Sequence, residues 1–245
     1  MPDTSQNISY YQKISHLYDL MYNQETGYDH QAQVAWVDGW RARSGLSKQV
    51  LDLACGTGKH LACFEALGYT CTGIDGSEAM LQIAATRVRD AQLQQGYFQT
   101  FSLSQPVPLI TAFFNAMGYN KDRKALRATC QNVFDNLSSG GLFVFDMVCV
   151  DAPQVIFKVK MYQGEGLRFS RTFSGLPTEE GFKSTMVFVV FDGKSTEVIE
   201  ETTLRGIFAG ADVVEILEAV GFKVLHSGPG YVELPTFVAQ KMGSN

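Results

Sequence analysis

The chain has 245 residues, of which 45% are apolar and 18% charged. This composition is typical of a folded globular protein and excludes a disordered one, and a chain of this length buries enough surface to need neither a disulfide frame nor a structural metal. Lysine and arginine total 20 against 25 acidic residues, giving a net charge of −5. A nucleic-acid partner is therefore not expected.

Targeting signals and cysteine usage indicate the compartment. Residues 1–6 are polar, and no apolar stretch approaches the ~18–20 residues of a membrane helix. We therefore expect a cytoplasmic protein with no membrane partner. The five cysteines are odd in number and form no C-x-x-C pair, which predicts reduced, packed thiols and no metal site.

Two helices are predicted before any strand. The first helix is predicted from five apolar side chains that share one helical stripe: Tyr11, Ile14, Leu17, Tyr18 and Met21. Ser9 is placed to cap the start of this helix. A second helix is predicted over about 31–43, where Trp36 and Trp40 lie one turn apart.

Strands and helices then alternate. Apolar strands are predicted over 50–54, 70–74, 107–114 and 142–150, with helices between them, and the helix after the second strand is capped by Ser77. A further helix and two strands follow from Ala211. This alternation predicts an α/β fold, a Rossmann-like seven-stranded and mostly parallel sheet with helices on both faces. Residues 151–205 alternate with period two instead, which predicts an antiparallel β insertion after strand five.

A glycine turn follows the first parallel strand, Cys55-Gly56-Thr57-Gly58. Such a turn brings bare backbone and a helix N-terminus close to a nucleotide-type ligand. The third glycine of a dinucleotide motif is replaced by Leu61, which disfavours a pyrophosphate and argues against an NAD-dependent oxidoreductase. Asp75 ends the second strand and is placed to accept from both ribose hydroxyls. Adenosine without a pyrophosphate fits both observations.

These two segments, residues 51–58 and 73–81, resemble the class I S-adenosylmethionine-dependent methyltransferases. Within that class the chain is similar to bacterial small-molecule methyltransferases, including the sugar N,N-dimethyltransferases. The resemblance covers about residues 10–150 and resumes from Ala211. It implies one methyltransferase domain over 1–245, made of a helical cap (1–45), a cofactor-binding half (46–150), an insertion that shapes the acceptor pocket (151–205), and a C-terminal helix and strands (206–245).

The resemblance also implies a set of cofactor contacts. Ala54, Gly56 and Gly58 would face the methionine part of S-adenosylmethionine, Asp75 the ribose, Gly76 and Met80 the adenine, while Tyr18 and Tyr22 would close over the cofactor and Phe113 would follow strand four. Three positions depart from the family pattern: Tyr97-Phe98 stands where an acid usually meets the adenine, Pro108 where strand four usually begins with Asp, and Tyr119 where related sugar enzymes carry a His. The backbone of Phe98 is expected to hold the adenine edge.

Methyl transfer from a sulfonium is an in-line displacement, so positioning and exclusion of water outweigh acid–base work. We expect a small-molecule acceptor, with nitrogen favoured over oxygen, in an aromatic pocket walled by Tyr18 and Tyr119. Asp146 ends strand five, where it is expected to orient an amine or to take a proton through water. His60 is expected to be partly solvated and without a role.

Two other functions stay open at this stage. One is an O-methyltransferase acting on a hydroxyl or carboxyl group, and the other is a non-catalytic binding protein that has kept the fold. The acceptor's identity is not readable from the sequence. A homodimer is also left open, since exposed strands of the insertion are able to pair between subunits.

Overall fold

The structure is a computed structural model that describes residues 5–25, 29–150, 154–231 and 234–243, with side chains from residue 11 onward. The helices are α1 (Ser5–Gln24), α2 (His30–Arg43), α3 (Lys59–Ala66), α4 (Glu78–Arg87), α5 (Arg123–Asn136) and α6 (Gly210–Val220). The strands are β1 (Gln49–Leu53), β2 (Thr70–Asp75), β3 (Gln92–Gln95), β4 (Val107–Ala112), β5 (Leu137–Asp146), β6 (Ile156–Gly164), β7 (Leu167–Thr178), β8 (Gly181–Phe191), β9 (Thr196–Arg205), β10 (Phe222–Pro229) and β11 (Pro235–Lys241).

The central sheet has seven strands in the order β10-β11-β5-β4-β1-β2-β3. Strands β3, β2, β1, β4 and β5 run parallel to their neighbours, while β11 pairs antiparallel with both β5 and β10. One apolar core joins α5 and α6 to the sheet, and a second joins α2 and α3 to it. The predicted Rossmann-like sheet with helices on both faces is confirmed.

A separate four-stranded sheet, β6-β7-β8-β9, is antiparallel throughout and follows β5. The predicted insertion is therefore confirmed. Its inner face packs against α1, where Ile14, Leu17 and Met21 meet Phe169 and Phe188. Helix α1 thus lies between the insertion, where it contacts β6 and β9, and helix α4 beside the central sheet.

Local predictions held where a periodic pattern or a cap was present. The Ser77 hydroxyl accepts from the Met80 N–H at the start of α4, as expected. Ser9 does not cap α1, because that helix begins at Ser5 and Ser9 lies inside it. Strand β5 covers residues 137–146, whereas the sequence predicted a strand over 142–150. Its pairing with β4 places the apolar run at 142–146. Strand β3 was missed because its four residues are mostly polar and give no period-two signal.

Pro108 lies within the central strand β4, where the missing N–H would break a ladder hydrogen bond. The pairing of β4 with β5 shifts register between Val107 and Leu109, so the proline coincides with an irregularity of the ladder. The departure from the family pattern at this position is therefore accommodated at the start of the strand. The carboxyl end of β4, which approaches the cavity, keeps regular pairing at Thr111 and Ala112.

No helix among the described residues is long and apolar enough to cross a membrane. Within the same ranges, no group of three or more His, Cys, Asp or Glu side chains is arranged to hold a metal ion. All five cysteines are free, and Cys55, Cys71 and Cys130 are buried.

Candidate active site

The glycine turn between β1 and α3 forms the floor of a cavity at the carboxyl edge of the parallel strands. Ala54 and Gly56 both have positive φ, 56° and 54°, and both line the cavity. A side chain built at Gly56 would meet no atom within 4 Å. Open backbone here fits the close approach of a ligand, which is what the sequence motif predicts.

Gly58 has a different role in the turn. It does not line the cavity, and a Cβ built there would lie 3.0 Å from the Ala84 Cβ. Its φ of 76° also suits glycine. Gly58 therefore permits the close packing of α3 against α4, and a direct contact to the cofactor stays a prediction.

Asp75 lies at the end of β2 and is held by two backbone N–H groups. Gly56 N donates to its Oδ2 and Ser77 N to its Oδ1, each at 2.8 Å. Burial raises the pKa of Asp75, and these hydrogen bonds oppose the rise. The side chain lines the cavity, so carboxylate oxygens already fixed in direction face the space where ribose hydroxyls are expected.

The predicted adenine contacts share one end of the cavity. Gly76 and Met80, from the start of α4, lie there with Tyr97 and Phe98, which follow β3. Tyr97 is 38% exposed, so it covers the cavity from the solvent side. The turn between β2 and α4 and the segment after β3 lie side by side, because β2 and β3 are neighbouring parallel strands whose carboxyl ends are at the same edge of the sheet.

Aromatic side chains from three segments also line the cavity. Tyr18 and Tyr22, one turn apart on α1, have ring centroids 4.6 Å from each other, and the Tyr22 ring meets Phe114 edge-on at 5.4 Å. Phe113 follows β4 and is 4% exposed. These rings line the cavity, as does Tyr119, so the structure brings Tyr18, Tyr22, Phe113 and Tyr119 together around one space, and their roles stay a prediction.

Tyr119 belongs to a hydroxyl cluster built by three distant segments. It ends a short 3₁₀ turn, Ala116–Tyr119. The Tyr11 and Tyr119 hydroxyl oxygens lie 2.5 Å apart, and a guanidinium nitrogen of Arg205 donates to the Tyr119 hydroxyl at 2.8 Å. The Arg205 guanidinium also lies 4.2 Å from the Tyr119 ring centroid. Arg205 ends β9, so the insertion holds the Tyr119 hydroxyl through this side chain.

A charged cluster ties α1 to the glycine turn. The Thr57 hydroxyl donates to Asp19 Oδ1 at 2.8 Å, Arg87 forms an ion pair with Asp19 Oδ2, and the Lys59 ammonium lies 3.4 Å from Asp19 Oδ1. Burial raises the pKa of Asp19, but hydrogen bonds from Arg87 and Thr57 outweigh it and hold the pKa below its ordinary value. Asp19 therefore stays ionised and anchors the helix that covers the cavity.

Asp146 lies at the carboxyl edge of the sheet, as predicted, but its side chain does not line the cavity. Its oxygens accept from the backbone N–H groups of Phe114 at 3.1 Å and Asn115 at 2.6 Å, and from the Gln33 amide at 3.4 Å. It is 1% exposed, and burial raises its pKa to about 6. Its visible role is to fix the segment after β4, where the aromatic wall begins.

The cavity residues that the sequence-based assignment left out include His30, His60 and Asp52. The prediction that His60 is partly solvated is wrong, because it is 5% exposed. Burial lowers the pKa of His30 to about 4 and that of His60 well below its ordinary value, so both rings are neutral. A histidine after the glycine motif was the available signal, but its environment depends on α2 and β4, which are distant in sequence.

Comparisons with known proteins agree with this geometry. Residues 50–141 match the family described as a methyltransferase domain. A dTDP-3-amino-3,4,6-trideoxy-alpha-D-glucopyranose N,N-dimethyltransferase from Streptomyces venezuelae is 28% identical over 221 residues, 87% of this chain and 92% of that relative. The crystal structure of Streptomyces venezuelae DesVI has a TM-score of 0.82 at 26% identity, covering 94% of this chain and 98% of that one. CalS10, an amino pentose methyltransferase from Micromonospora echinaspora solved with S-adenosylmethionine bound, has a TM-score of 0.77 at 22% identity, covering 92% and 97%.

The seven-stranded sheet and the glycine turn after β1 have the arrangement of a Rossmann-like methyltransferase fold, and residues 50–141 match a methyltransferase domain. The comparisons support a methyltransferase enzyme that uses S-adenosylmethionine and is similar to sugar N,N-dimethyltransferases.

Proposed function

We propose that this enzyme methylates the nitrogen of a small amine-bearing molecule, and that the acceptor is an amino sugar. The observation that carries the proposal is the aromatic wall that lines the same cavity as the glycine turn, formed by Tyr18, Tyr22, Phe113, Phe114 and Tyr119. An apolar wall disfavours an ammonium ion and so favours the neutral amine that attacks a methyl group. The similarity to amino-sugar dimethyltransferases supports the same acceptor class.

The residues of the cavity fit S-adenosylmethionine. When bound, the cofactor supplies an electrophilic methyl group on a sulfonium. Asp75 would accept from the ribose hydroxyls, the open backbone of Ala54 and Gly56 would meet the methionine part, and Gly76, Met80, Tyr97 and Phe98 would enclose the adenine. Tyr18 and Tyr22 would exclude water from the side of α1, since their rings already pack together there.

The acceptor would lie against the hydroxyl cluster of Tyr119, Tyr11 and Arg205. Arginine only donates hydrogen bonds, so the Tyr119 oxygen accepts from Arg205 and its own proton is directed to Tyr11 or to a ligand. Tyr119 is therefore placed to hold an acceptor polar group at a fixed distance from the aromatic wall. Asp146 would act as a positioning residue that holds the backbone of Phe114 and Asn115.

A labelled-methyl assay tests this proposal. The enzyme is incubated with S-adenosylmethionine carrying a labelled methyl group and a panel of amino sugars, simple amines, phenols and carboxylates. Label on amines alone supports N-methylation, and the number of methyl groups added is counted by mass. Label on hydroxyl or carboxyl acceptors alone would indicate an O-methyltransferase instead. Cofactor binding without transfer to any acceptor would favour a binding protein that has lost its chemistry.

The insertion sheet leaves its outer face bare. Large apolar side chains are exposed there, from 40% at Val189 to 73% at Met161, and the strand register places them on the side opposite α1. They are Phe157, Val159, Met161, Leu176, Val189, Phe191 and Val198. Charged residues on this side are confined to Arg168, Lys183 and Glu200 among the described strands.

We propose that a second copy of this chain covers this outer face. Four strands spaced ~4.8 Å apart and about nine residues long give a face of roughly 600 Å². Two copies would thus bury roughly 1,200 Å², enough for a stable interface. A nearly uncharged face also meets its own copy without repulsion.

Analytical ultracentrifugation tests this interface. We expect a dimer for the wild type, a monomer for Val189→Glu, and a dimer for the control Met242→Glu, whose side chain is 53% exposed away from the insertion. A wild-type monomer at micromolar concentration would contradict the interface.

The five free cysteines suit the reducing cytoplasm in which we expect this enzyme to work.

A further inference from the structure

A line of buried polar side chains runs from β5 to the cofactor cavity. Asp146 Oδ2 accepts from the Gln33 amide nitrogen at 3.4 Å, and Gln33 Oε1 lies 2.9 Å from His60 Nε2. The three residues are 1%, 4% and 5% exposed, in that order. They come from β5, α2 and α3, so the line connects three elements that are distant in sequence.

The direction of these hydrogen bonds follows from Asp146. An ionised carboxylate only accepts, and this one also accepts from two backbone N–H groups. The Gln33 NH₂ group must therefore face Asp146, which turns the Gln33 oxygen towards His60. That oxygen only accepts, so His60 Nε2 carries the ring proton. Because burial keeps the His60 ring neutral, Nδ1 is left with a lone pair.

His60 lines the cavity and lies in the first turn of α3, two residues after Gly58 of the glycine turn. Its ring packs against Phe113 and His30, each with centroids 4.8 Å away. Among the described residues, the hydrogen bond of the His60 ring is made at Nε2, so Nδ1 is the ring nitrogen left to meet a ligand. A lone pair at this position requires a donor such as an N–H group.

We propose that His60 Nδ1 accepts a hydrogen bond from the α-ammonium group of the methionine part of S-adenosylmethionine, and that Gln33 and Asp146 are positioning residues that hold His60 in the required tautomer. This inference rests on the proposed cofactor site. It assigns His60 a binding role at the amino-acid end of the cofactor, distinct from the ribose and adenine contacts.

Calorimetric titration with three ligands tests the proposal. S-adenosylhomocysteine carries the amino group, its deamino analogue has hydrogen in that place, and 5′-methylthioadenosine lacks the whole amino-acid end. For His60→Phe we expect about 10- to 100-fold weaker binding of S-adenosylhomocysteine. Binding of the other two ligands should change less than about 2-fold, because neither presents an ammonium donor.

The positioning residues give a second comparison. In Asp146→Asn the new amide is able to donate to Gln33, which would turn the Gln33 NH₂ group towards His60 and move the ring proton to Nδ1. We expect the same selective loss of S-adenosylhomocysteine binding in Asp146→Asn and in Gln33→Leu. The control Gln131→Leu removes an exposed glutamine amide that pairs with Asp135 on α5, and it should bind all three ligands like the wild type.

The outcomes separate this proposal from its premise. Equal losses for all three ligands would mean that His60 is only structural, and unchanged S-adenosylhomocysteine binding would also overturn the role. If the wild type binds none of the ligands, the cofactor site itself fails. Where a variant does not fold, ¹⁵N spectra of the wild-type His60 ring still decide: protonation at Nε2 supports the proposal, and protonation at Nδ1 refutes it.

Discussion

Asp52 should make the protein less stable as the pH rises, whereas a carboxylate whose pKa is lowered by folding has the opposite effect. It lies on the central strand β1, is 2% exposed, and accepts a hydrogen bond from the Thr111 hydroxyl at 2.7 Å. Burial raises its pKa from an ordinary 3.8 to about 7, and the charges of Asp75 and Asp146 add to the rise. The native state therefore binds this proton more tightly than the unfolded chain does.

The sign follows from linkage. The stabilisation that comes from the raised pKa of Asp52 is complete below pH 3.8, where the carboxyl is neutral in both the folded and the unfolded state. It is lost as the pH rises towards 7. The loss amounts to about 1.4 kcal/mol per pH unit within that window. Between pH 5 and pH 6.5 the wild type should therefore lose about 2 kcal/mol through this residue alone.

Asp52→Asn removes the titration and leaves an oxygen that accepts from Thr111. Urea unfolding from about pH 5 to about pH 8 measures both proteins, and the difference between their free energies of unfolding isolates Asp52. We expect the variant to gain about 2 kcal/mol on the wild type between pH 5 and pH 6.5, with little further change above pH 7. A flat curve for Asp52→Asn would refute the reasoning.

Three further substitutions test separate parts of the structure. Gly73→Val places a side chain where even a Cβ would lie 2.6 Å from Leu61 Cδ1, so we expect the free energy of unfolding to fall by about 1–3 kcal/mol, measured by thermal unfolding. An unchanged melting temperature would show that the neighbouring core side chains move to make room for the valine. Asp19→Ala releases α1 from the glycine turn, and S-adenosylhomocysteine should bind about 3- to 10-fold more weakly, with faster proteolysis within α1; equal affinity would separate the helix from the site. Tyr119→Phe should raise the acceptor KM about 10-fold and leave cofactor affinity unchanged, whereas a loss of cofactor affinity would place Tyr119 elsewhere.

The parallel half of the fold was predictable because its signals are local. Buried apolar strands, glycine stops and the Ser77 cap each depend on neighbours a few residues away, and each predicted its element. The glycine turn and Asp75 were predictable for the same reason, since a strand–turn–helix unit positions its ligand contacts within one segment. Strand β3 was not predictable in this way, because its polar side chains carry no strand signal and its pairing with β2 depends on its position in the sheet.

The acceptor side could not be derived in the same way. Tyr11, Tyr119 and Arg205 meet at hydroxyl and guanidinium atoms although they are far apart in the chain. No periodic pattern encodes that meeting. His60 shows the same limit: its burial comes from α2 and from the residues after β4, so the sequence alone placed it in solvent. Asp146 was correctly placed at the sheet edge, but the direction of its side chain depends on the Phe114 and Asn115 backbone.

The position of α1 between the two sheets sets an order for folding during synthesis. This helix leaves the ribosome before the insertion does, and the side chains that bury Leu17 and Met21 include Phe169 and Phe188, which are made about 150 residues later. Contacts so distant in sequence form late, after the nearer strand pairs of the central sheet. The apolar stripe of α1 must therefore remain uncovered while the cofactor-binding half is made. An early stop in translation before the insertion would leave that stripe exposed and would favour aggregation or capture by a chaperone.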